Sequence, residues 1–319
     1  MESLPKSDIH CRFSGSVTVR FVWDELHAMA EHDAAKFGAL LAQHKLPADT
    51  TFDTFRAALQ KETHTVESLA RGKAPFRMCL QSEDQIKRGV ENILRYAAEQ
   101  DGVTYMELVV RPCAHTKGGL SEEQVVRLID GEVQRLQGEL HIRVNLMLYA
   151  SLTDDDPVQF HETAKLTVRM RDEGMPVVGF GAFGESEMNE ATAPFYKTAF
   201  EYLKVHNMKV AASAGIRNSN SIVTALCSGA TRISGGFKVH DFPLLAQYLS
   251  THNIPLEISP STRMKSSTQE MRSFLQSSPI RFYMDSQIPV SLASFNFGLR
   301  NLKKKSDSIF ISRFRFLTF

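Results

Sequence analysis

Short apolar runs recur along the chain, and the spacing between most of them leaves room for a helix. Parallel strands that are buried on both faces read as nearly continuous apolar runs, and their alternation with helical patterns indicates repeated βα units. One such run, SDIHC, stands near the start, and seven more follow from residue 101 onward. These seven are GVTYMELVV, LHIRVNLMLYA, MPVVGFGAF, MKVAASAG, ATRISGG, IPLEIS and IPVSLAS.

Several of the intervening segments have the apolar periodicity of amphipathic helices, among them residues 121–137, 155–173 and 193–206. Ser121 and Gln124 also have the spacing of an N-terminal capping box. Eight strand–helix units in 319 residues predict a single α/β domain folded as a (β/α)8 TIM barrel. A doubly wound open sheet is the main alternative, but it usually has fewer strands and a glycine-rich first turn, which is absent from this sequence.

The rest of the chain divides into an insertion and a tail. Residues 24–100 are mostly helical in pattern, which predicts an insertion between strands 1 and 2 that lies over the barrel mouth. We expect the barrel to span residues 1–297 and to lack its last helices. The tail, residues 298–319, is basic and rich in aromatic residues, a composition that suits contact with anionic lipid or RNA. A short strand or a poorly ordered end is the more common state of such a terminus.

Charge and cysteine content limit the function classes. A net charge of +1 gives no global field that would attract nucleic acid or a membrane surface. The four cysteines form no C-x-x-C pair, which favours reduced thiols over a disulfide framework. The first ten residues carry charges and no apolar signal region, and no apolar run approaches the length of a membrane span. We therefore expect a cytoplasmic protein with no nucleic-acid partner and no membrane span.

Several segments resemble one known family. LPKSDIHCRFSGSV is similar to a family start of the form LPK-x-x-LHxHLDGS, and GVTYMELVVRPCAHTKGGLSEEQVV is similar to the stretch around its second strand. DDDPVQFHETAKLTVRMRDEGMPVVGFGAFGESE, VAASAG, ATRISGG, IPLEISPST and SPIRFYMDSQIPVSLAS follow in the family's order. Over nearly its whole length the chain resembles the adenosine and AMP deaminases, which are zinc-dependent amidohydrolases. The resemblance implies a TIM barrel that removes the amino group of a purine nucleoside or nucleotide by hydrolysis.

The resemblance also implies seven residues for the chemistry, and six of them are changed here. His10 matches the first histidine ligand of zinc, but Arg12 stands where the family has the second. A guanidinium presents only donors and stays protonated, so it cannot ligate zinc. The other changed positions are Ser213 for the third histidine, Ile216 for the glutamate proton shuttle, Gly235 for the histidine that stabilises the attacking water, and Phe295 and Asn296 for an aspartate pair.

These replacements predict a barrel without catalytic zinc or other cofactor. The resulting hypothesis is an inactive deaminase-like pseudoenzyme that binds a purine-like or anionic small molecule, or that regulates an active paralogue by association. The alternatives are an active adenosine- or AMP-type aminohydrolase and a barrel with metal-free chemistry. The resemblance, together with the fixed charge of Arg12, gives the following candidate ligand-binding residues: His10, Arg12, Ser14, Gly15, Gly184, Glu185 and Ser213.

Overall fold

Eight parallel strands follow one another around the sheet in chain order, each pairing with the next, and form a nearly closed barrel. The computed structural model describes residues 5–43, 45–47, 49–61, 75–184, 186–259 and 279–292. The strands are β1 (Lys6–Arg12), β2 (Val103–Val110), β3 (Arg143–Ser151), β4 (Val177–Phe183), β5 (Val210–Ala214), β6 (Arg232–Gly235), β7 (Leu256–Ile258) and β8 (Val290–Leu292). Because a doubly wound sheet reverses its strand order, this sequential order confirms the predicted TIM barrel.

Helices connect the strands on the outside of the barrel. They are α1 (Phe13–Ser16), α2 (Val19–His32), α3 (Ala34–Gln43), α4 (Phe52–Lys61), α5 (Glu83–Arg95), α6 (Glu122–Gln137), α7 (Pro157–Asp172), α8 (Ala193–Val205), α9 (Asn220–Cys227), α10 (Pro243–Thr251) and α11 (Ile280–Asp285). The predicted capping box begins α6: the Gln124 amide donates to the Ser121 hydroxyl at 3.1 Å, and the Ser121 amide donates to the Gln124 side chain at 2.8 Å.

The predicted insertion is mostly helical in the part that the structure describes. Helices α2 to α5 lie between β1 and β2, and α5 packs along α6 in the outer layer. The buried Cys79 thiol contacts the Val22 carbonyl oxygen at 3.7 Å, which ties the segment before α5 to α2. The placement of the insertion over the mouth and the domain boundary at residue 297 stay predictions, and the tail lies outside the described residues.

Two apolar clusters fill the space between the barrel and its helices. One joins β1 to β4 with α2, α4, α5 and α6, and the other joins β3 to β8 with helices α7 to α11. The barrel interior has in addition a chain of buried polar side chains, described below. In the part of the chain that the structure describes, no helix is both long enough and apolar enough to cross a membrane.

Candidate functional site

The carboxyl ends of the barrel strands bring most of the sequence-predicted residues to one face. In TIM barrels this face, which we call the mouth, is where ligands bind. His10 and Arg12 lie at the end of β1, and Ser14 and Gly15 lie in α1, directly after it. Gly184 follows β4, and Ser213 belongs to β5. Glu185 lies outside the described residues, as do Phe295 and Asn296.

Both ring nitrogens of His10 are engaged. Nδ1 lies 2.7 Å from Glu257 Oε2, and Nε2 lies 3.3 Å from the Nε of Arg12. Because the guanidinium only donates, Nε2 must carry the lone pair and Nδ1 the proton, which it donates to Glu257. Burial lowers the pKa of His10 to about 4, and the attraction of Glu257 only partly opposes this effect. His10 is therefore a neutral imidazole whose lone pair faces Arg12.

Arg12 supplies a permanent positive charge beside that imidazole. Its guanidinium carbon lies 5.5 Å from the centre of the Tyr149 ring and 5.6 Å from the centre of the Phe183 ring. The Phe183 ring in turn lies 4.4 Å from the His10 ring. Aromatic faces attract cations, so these contacts hold the charge at the end of β1. The cation lies where the family resemblance implies a metal ligand.

A chain of buried polar groups continues from His10 into the barrel. The other carboxylate oxygen of Glu257 contacts Arg232 Nε, and Arg232 Nη2 donates to Glu107 at 2.7 Å. The Tyr105 hydroxyl donates to Glu107 at 3.2 Å and accepts from the Asn145 side chain at 3.1 Å. Burial alone would raise the pKa of Glu257, but the charge of Arg232 and the contacts with His10 and Ser234 together outweigh it, and the pKa lies below its ordinary value.

This ionic chain was missed from the sequence, although a signal for it exists. Glu107, Arg232 and Glu257 are each a charged residue inside an apolar strand run. Charged side chains are almost never fully buried unless they are paired, so three of them in predicted core strands indicate mutual contacts. Which of them pair depends on barrel closure, since Glu107 and Arg232 stand 125 residues apart.

Gly235 packs closely against Ala214 and Ile216 where β5 and β6 end. Gly235 has a φ of +124°, a backbone conformation that side chains rarely adopt. A Cβ atom there would lie 2.6 Å from the Ala214 carbonyl oxygen and 2.9 Å from Ile216 Cγ1. The Ile216 side chain thus occupies space into which a residue at position 235 would extend.

The loop after β4 is fastened across these strand ends. The carboxylate of Glu187 accepts the backbone amide of Ile216 at 2.7 Å and that of Arg217 at 3.2 Å. The Met188 amide donates to the Ser213 carbonyl oxygen at 3.0 Å. Sequence reasoning chose Glu185 in this loop and missed Glu187, since a buried acceptor for backbone amides has no short sequence pattern.

Gly184 has a packing role in the same loop. A Cβ atom there would lie 2.6 Å from the Thr153 hydroxyl, which also accepts the Ser186 amide at 3.0 Å. The close approach to the loop after β3 therefore accounts for the glycine. The predicted contact between the Gly184 amide and a purine ring stays a prediction.

The donor set at the mouth is poor in metal ligands. Across the described ranges, no group of three or more His, Cys, Asp or Glu side chains is arranged to hold a metal ion. Positions 295 and 296, after β8, fall outside those ranges. His10 directs its lone pair toward a cation, and the nearby strand end contributes the neutral Ser213. The residues described at the mouth do not fit a zinc ion.

Comparison with known proteins supports the family resemblance. The family model described as adenosine deaminase matches residues 5–303. A probable adenosine deaminase from Dictyostelium discoideum is 33% identical over 307 residues, which cover 94% of this chain but only 39% of that protein. This chain therefore spans well under half the length of that relative.

Solved structures share the fold. An Arabidopsis protein named ADAL, complexed with IMP, superimposes with a TM-score of 0.78 at 18% identity, covering 98% of this chain and 86% of that one. An amidohydrolase from Burkholderia ambifaria with bound zinc gives a TM-score of 0.73 at 18% identity, covering 99% and 82%. At 18% identity, these superpositions show a shared fold and nothing more. The family model, in contrast, matches most of the sequence. By that match, the chain belongs to the adenosine deaminase family.

Proposed function

We propose that this chain is a zinc-free, catalytically inactive member of its family whose mouth binds a purine nucleotide or another small anion. The observation that carries the proposal is the contact between Arg12 Nε and His10 Nε2. The one retained histidine uses its lone pair to accept from a guanidinium, in place of ligating a metal.

Electrostatics support the absence of zinc. Arg12 Nε lies 3.3 Å from His10 Nε2 and therefore takes the space that a zinc ion about 2 Å from that nitrogen would need. The charge of Arg12 would also repel the ion. Zinc sites normally gather three or four His, Cys, Asp or Glu ligands, whereas Ser213 is a weak neutral donor. Ile216 has no group that could take up or release a proton, so it cannot act as the proton shuttle that the family resemblance implies at this position.

The same charge favours an anionic ligand. Arg12 offers a charge that is fixed at all physiological pH values and is held by Tyr149 and Phe183. The IMP and GMP complexes of the Arabidopsis relative support a purine nucleotide as that ligand. We further propose that the protein works in the cytoplasm and that regulation of an active paralogue by association is its alternative role.

Metal content and turnover test the first part of the proposal. We expect elemental analysis of the purified protein to find well below one zinc per chain. We also expect no ultraviolet change on incubation with adenosine, AMP or N6-methyl-AMP. Stoichiometric zinc together with turnover would contradict the proposal and would support an active aminohydrolase.

Calorimetric titration tests the ligand. We expect IMP to release heat with the parent protein, and the Arg12→Gln variant to bind at least about tenfold more weakly, because a charge-assisted contact is lost. Arg20→Gln removes a charge from the exposed face of α2 and is the matched control. If Arg12→Gln and Arg20→Gln bind IMP as well as the parent does, Arg12 does not form the anion site.

A further inference from the structure

Glu257 lies beneath the retained histidine and contacts two side chains at once. Its Oε2 atom accepts the Nδ1–H of His10 at 2.7 Å, and its Oε1 atom forms an ion pair with Arg232 Nε. The side chains of His10 and Glu257 are fully buried, and that of Arg232 is 16% exposed. Little water reaches these groups, so each depends on partners within the protein.

These contacts require an acceptor on both sides of Glu257. A guanidinium presents only donors, so the atom that faces Arg232 must be an acceptor. The other oxygen then decides the tautomer of His10, because an ionised carboxylate accepts hydrogen bonds and cannot donate one. His10 therefore keeps its proton on Nδ1 and its lone pair on Nε2, the nitrogen next to Arg12.

The tautomer of His10 determines what Arg12 meets. Arg12 Nε donates to His10 Nε2 at 3.3 Å, and this contact is attractive only while Nε2 carries the lone pair. In the other tautomer two N–H donors would face each other, and the guanidinium would have to turn away from the ring. Alternation along β1 places the two side chains on one side of the strand, but a carboxylate from β7 makes their contact favourable.

We propose that Glu257 is a positioning residue for the anion site: it fixes the tautomer of His10 and thereby holds the Arg12 guanidinium at the end of β1. Glu257 acts through His10 and not by contact with the ligand. This inference rests on the function proposed for the mouth, because Arg12 is the residue that binds the anion there. It gives the buried ion pair an effect on binding in addition to its effect on stability.

Nitrogen-15 NMR of the histidine side chains at neutral pH tests the tautomer directly, because protonated and unprotonated ring nitrogens resonate in separate ranges. The His10→Gln variant identifies the His10 signals by their absence. We expect His10 of the parent protein to carry its proton on Nδ1. A proton on Nε2 would overturn the proposal, and this measurement needs no substitution at Glu257.

Glu257→Gln tests the role of the carboxylate. A glutamine has one acceptor oxygen, which Arg232 requires, so its amide nitrogen would donate to His10 Nδ1 and the ring proton would move to Nε2. Glu107→Gln is the matched control, because it removes the carboxylate that Arg232 Nη2 contacts at 2.7 Å and leaves Glu257 in place. We expect the tautomer to change in Glu257→Gln alone. An unchanged tautomer in Glu257→Gln, or the same change in both variants, would overturn the proposal.

Calorimetric titration with IMP measures the effect on the anion site. We expect Glu257→Gln to weaken binding about three- to tenfold, the value of one hydrogen bond, and Glu107→Gln to leave it within about twofold of the parent. In an Arg12→Gln background, Glu257→Gln should have no further effect, because it acts through Arg12. Equal weakening with and without Arg12 would show a merely structural role, and the proposal would be wrong.

The two measurements also separate this inference from the function on which it rests. Absence of IMP binding by the parent protein would refute the function proposed for the mouth. The NMR measurement judges the hold of Glu257 on His10 independently of that result.

Discussion

Substitution of Gly235 by alanine tests whether the turn that begins at this last residue of β6 has the conformation described here. At a φ of +124° an alanine is strained, and its Cβ would lie 2.6 Å from the Ala214 carbonyl oxygen. A non-glycine residue in such a region costs about 1–3 kcal/mol. Relief of the close contact with backbone adds a cost of similar size, about 1–3 kcal/mol. We expect Gly235→Ala to lower the free energy of unfolding by about 2–6 kcal/mol.

Gly131→Ala is the matched control. Gly131 lies in the middle of α6, where an added Cβ would meet nothing within 4 Å, and an alanine in a helix interior is more stable than glycine by about 0.5–1 kcal/mol. The same chemical change is thus expected to have opposite signs at the two positions. Urea unfolding followed by circular dichroism measures both, provided that the m-value stays constant. If Gly235→Ala is as stable as Gly131→Ala, the turn is not in the left-handed region and the reasoning fails.

Three further predictions concern stability. Glu257→Gln should lower the free energy of unfolding by about 3 kcal/mol, because Arg232 loses a buried counter-charge, whereas Glu83→Gln at an exposed position of α5 should change it little. A loss of equal size in both variants, measured by urea unfolding, would count against the ionic chain. Burial lowers the pKa of His10 and of His115 to about 4, so the unfolded chain binds more protons than the folded chain below pH 6.5. The free energy of unfolding should therefore fall by about 2 kcal/mol per histidine on acidification to about pH 5. Urea unfolding at a series of pH values measures this fall, and His115→Gln should make it shallower. Ser121→Ala should cost about 1 kcal/mol through loss of the cap of α6, and an unchanged urea midpoint would refute it.

Periodicity was sufficient to predict the architecture. Every apolar run chosen from the sequence contains a strand, and the helix predicted over 121–137 is observed at Glu122–Gln137. Strand and helix patterns are local, and the order of elements in a TIM barrel follows chain order, so no long-range information was needed. The capping pair Ser121 and Gln124 is local in the same way, and the structure confirms it.

The candidate site was predictable only in part. That Arg12 stands next to His10 could be inferred from alternation along β1, but its donation to Nε2 requires side-chain geometry. The partners Glu257 and Arg232 arrive from β7 and β6, and only closure of the barrel brings them beneath His10. The family resemblance implies that Gly184 contacts a ligand. Its close approach to Thr153 also explains why a glycine stands there, so the residue type alone does not indicate a ligand contact.

The turn at Gly235 limits which sequences this fold can reach by single substitutions. A histidine introduced there alone would meet both an unfavourable backbone and the side chain of Ile216, so the protein would lose stability. Shortening Ile216 first would only open a gap beside the turn. A side chain at position 235 therefore requires the two positions to change together with the path of the main chain.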